Sequence, residues 1–243
     1  SILELFPGNI RAKQGLGKLS QPKPGTLAGK NSSDETLNQL IALYNKGQIR
    51  TVIQECDRLT KEFPQSFLLW NLLGAMNNAQ GKPDEAIAAY NKALLIKPDY
   101  AEAHYNMGNA YYREQAYDQA IDAWSRALDL DDQYPKVHYN IGNAHFNMNQ
   151  LAPSLVAYER AVVHDPENAD LHYNIAQVYI KQDDPERAIQ ALRRSLEYKQ
   201  DPGAYYQLGA LYAQRGHARE ARLSFGRLLQ LAPDHPKADI ARE

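Results

Sequence analysis

The chain has 243 residues, with 27 Lys and Arg against 29 Asp and Glu, for a formal net charge of −2. That balance excludes a surface that binds polyanions as a whole, so no nucleic acid is expected as a partner. The single cysteine, Cys56, excludes an internal disulfide, a multi-cysteine metal site and a Cys-x-x-Cys redox pair. No apolar run reaches the roughly 18 residues of a transmembrane segment.

Residues 1–19 read as the end of one helix (Ile2, Leu3, Leu5, Phe6, then Pro7) and a short second helix from Ile10 to Leu19. We take them as a partial repeat or N-terminal cap. Residues 20–32 have the Pro, Gly and Lys composition of a linker. From Arg11 to Lys30 there are five Lys or Arg and no acid. This stretch reads as a solvated basic linker, with contact to an acidic partner or membrane surface as the sharper alternative.

The next 200 residues repeat. Ala103-His-Tyr-Asn-Met-Gly-Asn-Ala110, Val137-His-Tyr-Asn-Ile-Gly-Asn-Ala144 and Leu171-His-Tyr-Asn-Ile-Ala-Gln-Val178 follow one another at a spacing of 34. The register gives six copies, at 33–66, 67–100, 101–134, 135–168, 169–201 (one residue short) and 202–235. Each predicts two helices, A and B. In 101–134 the apolar positions are Ala103, Met107, Ala110 and Tyr111, then Ala120, Ile121, Trp124, Ala127 and Leu128. Gly81 and Gly216 fall in the A-to-B turn. Pro83, Pro153 and Pro185 fall at the start of helix B, where a missing N–H costs nothing. Residues 236–243 begin another helix, a truncated cap. Eight residues cover a solenoid end poorly, so the chain is expected to be a piece of a longer protein or to pack its ends on something else.

Small residues recur at position 8 of the period, at Gly74, Gly108, Gly142, Ala176 and Gly209, and again at Ala86, Ala120, Ser154, Ala188 and Ala221. Large ones recur at Tyr90, Trp124, Tyr158, Leu192 and Phe225. On these residues the chain resembles the tetratricopeptide repeat family. The resemblance implies an all-α fold, a right-handed α-solenoid of antiparallel helix pairs. The first copy departs most, with Leu40 and Val52 where small residues belong, and looser packing is expected there.

On a helical wheel, positions 4, 7, 8 and 11 of helix A form the packed face, and positions 2, 5, 6, 9, 12 and 13 the opposite one. In the family this second face lines a concave groove. Here it carries Glu102, Tyr105, Asn106, Asn109, Tyr112 and Arg113, then Lys136, Tyr139, Asn140, Asn143, Phe146 and Asn147, then Asp170, Tyr173, Asn174, Gln177, Ile180 and Lys181. Asn amides donate and accept at once, and Tyr rings give contact area at low entropic cost. Packed helices about 8–10 Å apart would meet an extended chain, at about 3.3 Å per residue, once every third residue. A similar asparagine ladder lines the repeat arrays of protein O-glycosyltransferases. The candidate peptide-binding residues are therefore Tyr105, Asn106, Asn109, Tyr112, Arg113, Lys136, Tyr139, Asn140, Asn143, Phe146, Tyr173, Asn174, Gln177 and Lys181. The flanking copies, with Asn71 and Tyr206, look plainer.

Other chemistry fits poorly. Tyr105, Tyr139 and Tyr173 stand where a carboxylate clamp would need Lys. His104, His138 and His172 fall on the packed face, one per repeat, too far apart for ligands about 2 Å from one metal. Gly25 to Lys30 is one residue short of a phosphate loop and has no Ser or Thr after the Lys. No cofactor and no catalysis are expected within these residues. The reading is a scaffold that binds an extended protein segment, in a bacterial cytoplasm, with a periplasmic setting left open. The alternative is the substrate-recognition or oligomerisation arm of a larger bacterial glycosyl-, sulfo- or methyltransferase. Self-association through the array ends is a further expectation. The aromatic count, 16 Tyr against 5 Phe, follows from the repeat multiplied by its copies.

Overall fold

The computed structural model describes residues 39–239 apart from positions 41, 45 and 133. The expected N-terminal cap (1–19), the linker (20–32) and the last residues of the C-terminal cap lie outside the described residues. All regular structure among the described residues is helical.

After a helical stretch around Gln39–Tyr44 come α1 (Ile49–Glu62), α2 (Phe67–Ala79), α3 (Pro83–Ile96), α4 (Ala101–Arg113), α5 (Tyr117–Leu130) and α6 (Pro135–Asn147). Then follow α7 (Leu151–His164), α8 (Ala169–Lys181), α9 (Pro185–Tyr198), α10 (Pro202–Gln214) and α11 (Ala218–Leu231). The A helices, α2, α4, α6, α8 and α10, have 13 residues each. The B helices have 14. The chain divides into two compact units, Ser1–Val137 and His138–Glu243. Within them α2 packs on α3, α4 on α5, α8 on α9 and α10 on α11, and a B helix packs on the A helix that follows it.

The turn inside each pair needs one left-handed residue. It is Gly47 (φ 74°), Gly81 (73°) and Gly216 (76°) in three copies, and Gln115 (59°), Asn149 (59°) and Asp183 (56°) in the others. The missing residue of copy 169–201 comes out of the connection after α9, where Lys199–Asp201 replaces a four-residue link such as Phe63–Ser66. Helix lengths are untouched. Asp201, Asn168 and Asp184 cap α10, α8 and α9 by accepting from Ala204, Leu171 and Arg187 backbone N–H groups.

Close approach explains position 8. A Cβ on Gly74 would lie 2.5 Å from the Tyr90 ring, and one on Gly209 would lie 2.6 Å from Phe225. Gly142 stands against Tyr158 in the same way. Where the residue is Ala176, the partner is the smaller Leu192, and both are fully buried. Ser154, at a position held by Ala86, Ala120, Ala188 and Ala221 in other copies, donates its hydroxyl to the Gly142 carbonyl over 2.9 Å. In the first copy Leu40 and Val52 are 3% and 0% exposed, in one core with Cys56, Leu59, Leu69 and Met76. The expected looseness is therefore not found: larger side chains fill the space. Cys56 is part of this core, and burial pushes its thiol up to about 12.

The position-4 side chains reach back to the end of the preceding repeat. Trp70 Nε1 donates to the Pro64 carbonyl at 3.0 Å, and the Nε2 atoms of His104 and His172 bond the carbonyls of Pro98 and Pro166 at 3.0 and 2.8 Å. A proline carbonyl at a helix exit lacks an intrahelical donor, and these rings supply one. Where Asp132 replaces the proline, His138 instead stacks on His164 at 5.9 Å.

Candidate peptide-binding faces

In the first unit the face is built on α2 and α4. Asn71 Nδ2 donates to Glu102 Oε1 (3.2 Å) and lies 3.4 Å from the Tyr100 hydroxyl. Asn106 Nδ2 donates to Asn71 Oδ1 (3.4 Å). The amides thus bond each other across consecutive A helices. Tyr105 stacks on Tyr134 with ring centroids 5.1 Å apart, and Phe67 meets Tyr100 edge-on at 4.9 Å. Tyr105 and Asn106 are only 7% and 4% exposed. This corrects the expectation of both as open gripping surface: ring stacking holds one and an amide bond ties the other. Asn109 accepts from Trp124 Nε1 at 3.1 Å, which fixes the indole of its own B helix. Tyr112 packs edge-on against Tyr117. Arg113 is exposed and donates to the Asn78 carbonyl and, at 3.2 Å, to Asn78 Oδ1. Lys136 is exposed.

Glu102 is 7% exposed. Burial pushes its carboxyl up to about 7, against the opposing pull of hydrogen bonds from Tyr100 and Asn71.

In the second unit Asn174 Nδ2 donates to both Tyr139 Oη and Asn143 Oδ1, each at 3.1 Å. Asn143 Oδ1 also accepts from the Tyr158 hydroxyl at 2.6 Å. Asn143 therefore repeats the part played by Asn109. Gln177 occupies the same position, but its B-helix counterpart is Leu192, which has no donor. Its Nε2 atom is buried without a hydrogen-bond partner. Tyr173 is half-buried, and burial raises its phenol, with a hydrogen bond from Gln207 opposing. The Lys181 ammonium lies over the Phe146 ring at 4.2 Å and reaches Asn149 Oδ1 at 3.5 Å. Asn140 is half-buried.

Within each unit the amides are thus bonded, Asn106 to Asn71 in the first and Asn174 to Tyr139 and Asn143 in the second, rather than set out as a row of free groups. The wheel places Glu102 on this face and Asn71 on it in the plainer flanking copy, but neither is among the candidate residues, and Tyr100 and Tyr134, at the repeat boundaries, lie off the wheel's face. All four join through bonds or stacking between residues about one period apart.

Family models described as tetratricopeptide or TPR repeats match residues 74–115 and 108–149, 135–168, 154–214 and 202–235. The chain belongs to the tetratricopeptide repeat family. Among curated proteins it is 43% identical over 54 residues to the peroxisomal targeting signal receptor of Kluyveromyces lactis, covering 22% of this chain and 10% of the receptor. It is 26% identical over 93 residues to the probable biofilm formation methyltransferase WspC of Pseudomonas putida, covering 38% of this chain and 22% of that protein. The chain therefore spans only a small part of these relatives' length. The MamA crystal structure superposes with a TM-score of 0.62 at 26% identity, covering 65% of this chain and 93% of that one. No described helix is long and apolar enough to cross a membrane.

Proposed function

We propose that the helix-A faces hold an extended segment of a partner protein. The observation that carries this is the concentration of Tyr and amide side chains on that face in successive repeats, locked by mutual bonds before any partner arrives. Pre-ordered side chains lose little freedom on binding. The tetratricopeptide repeat family membership and the likeness to a targeting-signal receptor support a protein or peptide as the ligand. We place the binding in the bacterial cytoplasm, which fractionation of the source cells tests.

The test is selection of displayed peptides on the full chain, followed by hydrogen-exchange mapping. Protection is expected on α4 in the first unit, with loss of affinity on Arg113→Glu, or on α8 in the second, with loss of affinity on Lys181→Glu. Protection confined to the B helices would overturn the reading.

The likeness to WspC favours a second reading, in which this array is the substrate-recognition or assembly arm of a larger bacterial transferase. The reading frame flanking the chain in the gene decides it: a transferase domain there supports the arm, and its absence removes it.

A further inference from the structure

Outside copy 101–134, position 2 of helix A is not buried in the described copies: Leu68 and Gly203 are half-buried. Lys136 and Asp170 hold it in the following copies, and both are exposed. Glu102 holds it in copy 101–134 and is 7% exposed. The repeat does not impose this burial.

The surroundings are specific. Two neutral groups, the Asn71 amide and the Tyr100 hydroxyl, donate to the carboxylate. A carboxylate offers about four acceptor sites, so capacity remains. No described cation is bonded to it. Lys97 lies over the Phe67 and Tyr100 rings, 4.9 and 5.4 Å from their centroids, and Arg113 donates to Asn78. The Tyr105–Tyr134 stack adds further ring surface close by. A carboxylate with neutral donors alone is an expensive thing to bury, and an arriving cation offsets that cost. Aromatic faces attract the same cation through their quadrupoles.

We propose that the Glu102 niche is a subsite for one basic side chain, Lys or Arg, of the bound segment. This rests on the peptide-binding reading above and adds a charge and a register to it: the segment places its cation at α4. The carboxylate pairs the ammonium or guanidinium, Asn71 and Tyr100 hold the carboxylate in place, and the rings line the approach. Asn71, Glu102 and Tyr100 then form a positioning set in which Glu102 alone carries charge.

Peptides displayed from a random library are selected on the full chain and, in parallel, on Glu102→Gln. Gln keeps an acceptor for Asn71 and Tyr100, and a melting curve checks that the variant folds. Wild type is expected to enrich one Lys or Arg at a fixed place in the peptide, and Glu102→Gln is expected to lose that enrichment. Replacing that residue by norleucine in a synthetic copy should weaken binding to wild type at least tenfold and leave binding to Glu102→Gln unchanged. Peptides selected with no basic preference would sink the subsite while leaving the groove reading intact, as would a norleucine penalty of equal size on both chains. If no peptide is selected at all, both readings fall. The norleucine comparison on wild type needs no variant to fold.

Discussion

The indole of Trp124 lies against the α-carbon of Gly108, where a Cβ would come within 2.5 Å of both Cδ1 and Nε1. The same indole donates to Asn109, the next residue of α4. Helix A is thus approached and gripped by one side chain.

Gly108→Ala should therefore destabilise the chain by about 1–3 kcal/mol, the usual cost of overpacking. Pairing it with Trp124→Leu reproduces the Ala176 and Leu192 combination. The double variant should be less destabilised than the sum of the two singles, measured as urea midpoints. Strict additivity would show that the ring has room to move.

Gln115 holds a φ of 59° where three other copies use glycine. Left-handed backbone costs a residue with a Cβ about 1–2 kcal/mol, and glycine gives part of this back in unfolded-state entropy. Gln115→Gly should raise stability by about 0.5–1 kcal/mol, and Gly81→Ala should lower it by a similar amount. Thermal midpoints moving in one direction for both would contradict the turn argument.

Glu102 gives a pH signature. Its carboxyl rises from 4.5 to about 7 on folding, so between those values the native state keeps a proton that the unfolded chain has released. Stability then falls as pH rises through the window and levels off above it. The total is about 3 kcal/mol, because each tenfold change in proton affinity is worth about 1.4 kcal/mol. The phenols of Tyr90, Tyr100 and Tyr134 around it are all pushed up and stay protonated throughout. Glu102→Gln should therefore gain on wild type as pH rises from 4.5 to 7, read as the difference in denaturant midpoint. A constant difference would place the carboxyl outside the window.

Position 9 separates two kinds of amide. Asn143 accepts from Tyr158 and Asn174, so Asn143→Ala should cost about 1–3 kcal/mol for the donors it leaves unmade. Gln177 leaves a buried donor unmade already, and Gln177→Leu should be neutral or stabilising. Equal losses from the two would mean that Gln177 has a bond of its own.

The fold was readable because its period is linear. Gly74 to Gly209 and Tyr90 to Phe225 recur at fixed places, and the helices, their turns and their packed faces follow from spacing alone. The sites were half readable. A wheel places Asn106 and Asn174 at the same angle, each on its own helix. It cannot show that Asn106 spends its amide on Asn71, 35 residues earlier, or that Asn174 divides its own between Tyr139 and Asn143. Nor can it show that Glu102 is buried while Lys136, its counterpart, is wet. Those facts depend on pairs of side chains meeting between repeats, where each repeat differs from the next.

The reach of Trp70, His104 and His172 to the carbonyls of Pro64, Pro98 and Pro166 changes where such a chain can be cut. A module excised at the sequence period keeps the carbonyl of its third-from-last residue without its donor, because that donor is the fourth residue of the next copy. The transplantable unit is thus longer than the period by about one helical turn. Arrays shortened or spliced with that overhang retain the latch, and those trimmed to the repeat boundary lose it.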